Sequence, residues 1–109
     1  LRAARDVDSP EHHWSEIMTP WEEPTSLADG ILDDETYDWI SISRALQRSG
    51  GRSVVASEAD IVRARDIVNV FGPPTSATGS AGVAGAITEV DSGVLDDRPI
   101  VVVLSGAAR

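Results

Sequence analysis

The chain contains no cysteine and no lysine. Without cysteine there is neither a disulfide framework nor a thiolate zinc site. Without lysine, all nine basic residues are arginines. Chemistry that needs an amine side chain, as a nucleophile or in a Schiff base, is therefore closed to this chain by itself. Basic charge of any kind is sparse: nine arginines face 18 aspartates and glutamates, for a net charge of -9. Such a surface repels phosphate backbones and anionic lipid headgroups, so neither nucleic acid nor membrane is an expected partner. No apolar run approaches the roughly 20 residues that cross a bilayer. Residues 1–15 also lack the apolar stretch of a signal peptide, and a soluble cytoplasmic protein is expected. Methionine is scarce too, Met18 being the only one, and the first residue is Leu1. That start points to a processed product, a proteolytic piece or an excised portion of a longer chain. The length of 109 residues allows one domain with a modest core.

Residues 1–25 carry Pro10, Pro20 and Pro24, and their charges have no clear period. They read as loop or a poorly ordered segment, with a short helical turn around Trp14 to Met18. Asp33-Asp34-Glu35-Thr36 then precedes a helix whose Trp39, Ile42 and Leu46 fall at i, i+3 and i+7. Acids at that end suit the helix dipole, and Gly50-Gly51 ends the element. Ser53 to Ala56 is a short apolar run that suits a buried strand. Ser57 fits an N-cap with Asp60 three residues on, as in a capping box. Behind it Ile61, Ala64, Val68 and Phe71 form one apolar face, which Gly72-Pro73-Pro74 stops. Gly79 to Val90 keeps helical spacing through Val83, Ile87 and Val90, despite three glycines at about 1 kcal/mol each relative to alanine. Side chains this small let another backbone or a ligand come close. Asp91 to Arg98 reads as a turn. Ile100 to Leu104 is continuously apolar, the pattern of a strand buried on both faces of a parallel sheet. Helices alternating with such strands predict a parallel α/β arrangement.

Three segments stand out together: Asp29-Gly30-Ile31-Leu32-Asp33-Asp34-Glu35-Thr36-Tyr37-Asp38-Trp39, then Thr78-Gly79-Ser80-Ala81-Gly82-Val83-Ala84-Gly85, then Val101-Val102-Val103-Leu104-Ser105-Gly106. In this order and spacing they resemble the C-terminal portion of fold type II pyridoxal-phosphate (PLP) enzymes. The match is to threonine synthase-like proteins, with threonine dehydratase and serine racemase as cousins, and it covers residues 26–109. The resemblance implies an α/β fold, the C-terminal part of the large domain of a tryptophan synthase β-like enzyme, with a parallel sheet and helices. It further implies PLP as cofactor, and lyase or synthase chemistry on a hydroxy-amino acid or its phosphate ester. In that family a serine or threonine opens the small-residue helix and donates a hydrogen bond to the pyridine nitrogen. Thr78 occupies the matching position, with Gly79 behind it allowing close approach. A neutral hydroxyl leaves the ring nitrogen unprotonated, which suits elimination and replacement chemistry. The family's Schiff-base lysine and phosphate-binding loop lie upstream of the matched region. This chain therefore supplies no catalytic residue, and its implied partner is the remainder of the PLP-enzyme fold or a second copy of itself, because two strands make a poor sheet.

Other readings attach to the same residues. Thr78 also fits a plain helix N-cap. The glycines at 79, 82 and 85 run G-x-x-G-x-x-G, which departs from the dinucleotide fingerprint. Asp33, Asp34 and Glu35 are metal-ligand or general-base types, although acids at a helix start are ordinary dipole partners. His12-His13 has no matching ligands nearby in sequence. Trp14, Trp21 and Trp39 read as packing residues. Set against the enzyme is a small non-catalytic α/β binding or scaffold module.

Overall fold

The computed structural model describes residues 8–32, 37–95, 97 and 99–107. The chain divides into two compact units. One is formed by Leu1–Pro24 with Asp33–Ser53, the other by Thr25–Leu32 with Val54–Arg109.

In the first unit a 3₁₀ turn, Pro10–His13, runs into a one-turn helix α1, Trp14–Ile17, where the sequence predicts a helical turn. Helix α2, Trp39–Ser49, carries the Trp39, Ile42 and Leu46 stripe and ends at Gly50 in the left-handed region (φ 67°), which glycine adopts without a Cβ penalty. The ring of Trp39 packs on that of Trp14 at a centroid separation of 4.6 Å, a contact of the expected packing kind. Arg44 of α2 pairs with Glu11 at 3.0 Å. Trp21, also read as a packing residue, is exposed.

The second unit is built on two helices, α3 (Glu58–Phe71) and α4 (Ala81–Asp91). The capping box at the start of α3 is complete: the Ser57 hydroxyl accepts from the Asp60 N–H, and the Asp60 side chain accepts from the Ser57 N–H. Ile61, Ala64 and Val68 are buried as the spacing predicts, but Phe71, at the end of the stripe, is 86% exposed. The core is Ile61 and Ala64 of α3, Ala84 of α4 and Ala28 from the segment before a 3₁₀ turn, Asp29–Ile31, with Ala56, Ala77, Val83 and Ile87 packed around them. Three of those four central residues are alanines, so the layers lie close and the apolar area buried between them is small. At the far end of the pair Arg63 reaches Asp91 at 2.7 Å.

Among the described residues the expected parallel α/β sheet is absent. Among the described residues there is no β-strand, and the one β pairing is an isolated antiparallel bridge between Thr75 and Ala107. Neither Ser53 to Ala56 nor Ile100 to Leu104 forms a strand. Both are apolar runs outside any helix, yet a strand exists only where a neighbour answers its N–H and C=O groups. Here the run at 100–104 instead passes over Gly82 of α4. A Cβ on Gly82 would stand 3.0 Å from Val102 and 3.4 Å from the Val103 carbonyl. The run's outer side chains remain uncovered, Val101 at 92% and Val103 at 77% exposure. Among the described residues no helix is long and apolar enough to cross a membrane.

Candidate functional site

The second unit holds a cleft of about 640 Å³ lined by Asp29, Gly30, Ser76, Thr78, Gly106 and Ala107. Three separate stretches of chain make it, and hydrogen bonds join them. In the loop between α3 and α4, the Thr75 N–H donates to the Asn69 side chain at 2.8 Å and its hydroxyl donates to the Pro73 carbonyl at 2.8 Å. The Ser76 hydroxyl accepts from the Gly79 N–H at 3.0 Å. This bond curls residues 76–79 into the turn that places Thr78 ahead of α4.

The C-terminal stretch closes against that turn. Ser76 N–H donates to the Gly106 carbonyl and Ser105 N–H to the Gly79 carbonyl, both at 3.3 Å. Gly79 and Gly106 are in direct backbone contact. A Cβ on Gly79 would run into the Gly106 carbonyl group, with its carbon and the Gly106 nitrogen each 2.7 Å away. No residue but glycine fits at 79 without moving the last segment of the chain.

The third stretch brings in Asp29 and Gly30. The Gly30 N–H donates to the Thr78 hydroxyl oxygen at 3.1 Å. A Cβ on Gly30 would stand 3.0 Å from that same oxygen and 3.2 Å from the Thr78 methyl. The hydroxyl thus spends one lone pair on Gly30 and keeps its own proton for another acceptor. Thr78 does not cap α4: the N-cap position is Ser80, which makes no side-chain cap bond. The Ser80 hydroxyl donates to the Ala77 carbonyl at 3.1 Å instead.

The stretch carrying Gly30 is itself tied down. The Glu58 carboxylate accepts from the Ser26 hydroxyl at 2.5 Å and from the Leu27 N–H at 2.9 Å. These two donors, Ser26 first, hold the Glu58 carboxyl below the ordinary glutamate value. Asp60 is lowered as well, by the Ser57 hydroxyl and the Ser57 N–H, with a further contribution from Thr88.

Of the residues singled out in the sequence, Thr78 lines the cleft and Gly79 lies buried beneath it. The cluster Asp33, Asp34 and Glu35 lies outside the described residues. His13 faces Glu16 at 3.2 Å in the first unit, and among the described residues no three His, Asp or Glu side chains gather as metal ligands would. Sequence reasoning missed Ser76, whose side chain shapes the turn, and Glu58, whose role depends on a loop 31 and 32 residues away. The Ser-x-x-Gly spacing at 76–79 is the one local signal that could have found the former.

No family model, no curated protein and no solved structure matches this chain.

Proposed function

We propose that this chain supplies the pyridine-nitrogen side of a PLP site in a lyase or synthase of the threonine synthase-like kind, acting on a hydroxy-amino acid or its phosphate ester. One observation carries the reading. The three segments on which the resemblance rests each contribute to one cleft: Asp29 and Gly30 from the first, Thr78 from the second and Gly106 from the third.

The residues present fit that side of the cofactor and no more of it. Thr78 is a neutral, half-buried hydroxyl whose acceptor side is engaged by Gly30, leaving its proton to donate to a ring nitrogen. The Gly79–Gly106 contact keeps the wall behind it free of side chains. When bound, PLP supplies the electron-withdrawing ring that stabilises negative charge on a substrate carbon. The chain has no lysine to hold the cofactor covalently. That lysine and the phosphate-binding loop belong, in this proposal, to additional polypeptide, and the chain is not catalytic alone.

The test uses the chain itself. PLP is titrated into ¹⁵N-labelled protein, and the amides of Gly30, Thr78, Gly79 and Gly106 are followed by NMR. Saturable shifts at these positions are expected, needing roughly 2- to 10-fold more PLP in Thr78→Val and about the same amount in Thr78→Ser. An unresponsive cleft, or shifts that survive Thr78→Val unchanged, overturns the proposal.

A further inference from the structure

Glu58 is exposed, lies at the first position of α3 and does not line the cleft. It is nonetheless the origin of a continuous set of contacts that ends on the Thr78 hydroxyl. Its two carboxylate oxygens take Ser26 and Leu27. The Ser26 oxygen accepts in turn from the Ala28 N–H at 3.1 Å. Ala28 is fully buried in the core, and its carbonyl accepts from the Ile31 N–H at 3.1 Å. That last bond closes the turn in which Gly30 sits, and Gly30 N–H reaches Thr78.

We propose that Glu58 is a positioning residue for the Thr78 hydroxyl, acting through the strap of residues 26–30. The purpose of that positioning rests on the PLP reading above; the mechanical linkage does not. A free threonine hydroxyl turns, and its side chain samples more than one χ1 well. An N–H fixed in space at 3.1 Å selects one orientation of the oxygen and points its proton away from Gly30. Gly30 can impose this only while the strap is held, because a 3₁₀ turn of three residues has little stability of its own. The anchors are Ala28 in the core and the two bonds to Glu58. Glycine at this position also lets the strap come this near without displacing Thr78, since a Cβ there would press on the Thr78 oxygen and methyl. Pre-setting a donor before its acceptor arrives is how a site avoids reorganisation on binding.

Glu58→Ala and Glu58→Gln separate this role from a general structural one. The glutamine can keep both contacts, its carbonyl accepting from Leu27 and its amide donating to the Ser26 oxygen. In Glu58→Ala the Gly30 amide is expected to exchange with solvent about ten-fold or more faster, as a locally opened segment does. The Thr78 α–β proton coupling should change from a single-rotamer value to an averaged one. Amides of Ile61, Ala64 and Ala84 should keep their protection, and PLP-induced shifts should need several-fold more PLP. Glu58→Gln should restore all of these. Ser26→Ala, which leaves α3 untouched, should reproduce the alanine result in weaker form. Unchanged Gly30 exchange and Thr78 coupling in both Glu58→Ala and Ser26→Ala overturns the positioning role, even if PLP binds the parent. A released Gly30 and an averaged Thr78 in a protein that never responds to PLP upholds the positioning role and overturns the cofactor reading instead.

Discussion

Thr78 in the cleft and Gly79 beneath it each make a separate prediction. Thr78→Val keeps the shape of threonine and removes the donor. If the hydroxyl meets a ring nitrogen, PLP affinity should fall by about 0.5–1.5 kcal/mol, roughly 2- to 10-fold, in an NMR or absorbance titration. Thr78→Ser should stay near the parent, because the donor survives. Gly79→Ala tests the wall behind. Its methyl would collide with the Gly106 carbonyl group, so either the turn at 76–79 or the last segment must shift. A loss of about 1–3 kcal/mol in urea denaturation is expected, the usual penalty for overpacking. An unaffected midpoint would mean that the terminal segment yields freely. At this scale the sequence is informative about one end of each contact and silent about the other. Thr78 and Gly79 stand out because they open a run of small residues. The partner of Thr78 lies 48 residues away at Gly30, and no local pattern encodes a contact at that range.

Helices were legible and strands were not, for a physical reason. The stripe of Ile61, Ala64 and Val68 and the Ser57–Asp60 box satisfy the helix from within its own residues, so the local pattern is sufficient evidence. The runs at 53–56 and 100–104 have strand-like composition, but pairing is a property of two segments. Nothing in five consecutive apolar residues says whether a partner exists. Phe71 marks the limit of the helix argument as well: periodicity gives a face and not the length over which it is covered. The start of α3 carries a pH prediction. Glu58 and Asp60 are both held below their ordinary values of 4.5 and 3.8 by hydrogen bonds that favour the charged form. A carboxyl lowered in the fold adds stability that is fully present above its unfolded value and is lost as pH falls through its folded value. Stability should therefore drop with acid below about pH 4.5, and the drop should be shallower in Asp60→Asn and in Glu58→Gln than in the parent. Urea midpoints across this acid range provide the measurement. Parallel acid profiles for parent and variants would show that these two groups carry none of the dependence.

Taken whole, the molecule leaves a great deal of apolar surface uncovered: Val55, Val70, Phe71, Val101 and Val103 are all exposed. A surface of that kind on a chain with a mostly alanine core is expected to associate. Sedimentation should show weight-average mass rising with concentration, and Val101→Asp with Val103→Asp should return the chain toward a monomer. A compact, cooperatively unfolding monomer at all concentrations would count against any need for further polypeptide. The division into units has a consequence of its own. Along the chain the first unit is entered, left at Pro24, re-entered at Asp33 and left again at Ser53. Three covalent crossings join the two bodies, so neither can be obtained by cutting the gene once. A polypeptide starting at Val54 would keep α3 and α4 but forfeit Ala28, which shares their core, and Gly30, the donor to Thr78. It should melt earlier than the parent. Adding back a synthetic peptide of residues 25–32 in trans should recover part of the loss, as fragment complementation does when a missing piece carries core and hydrogen bonds but no longer has its tether.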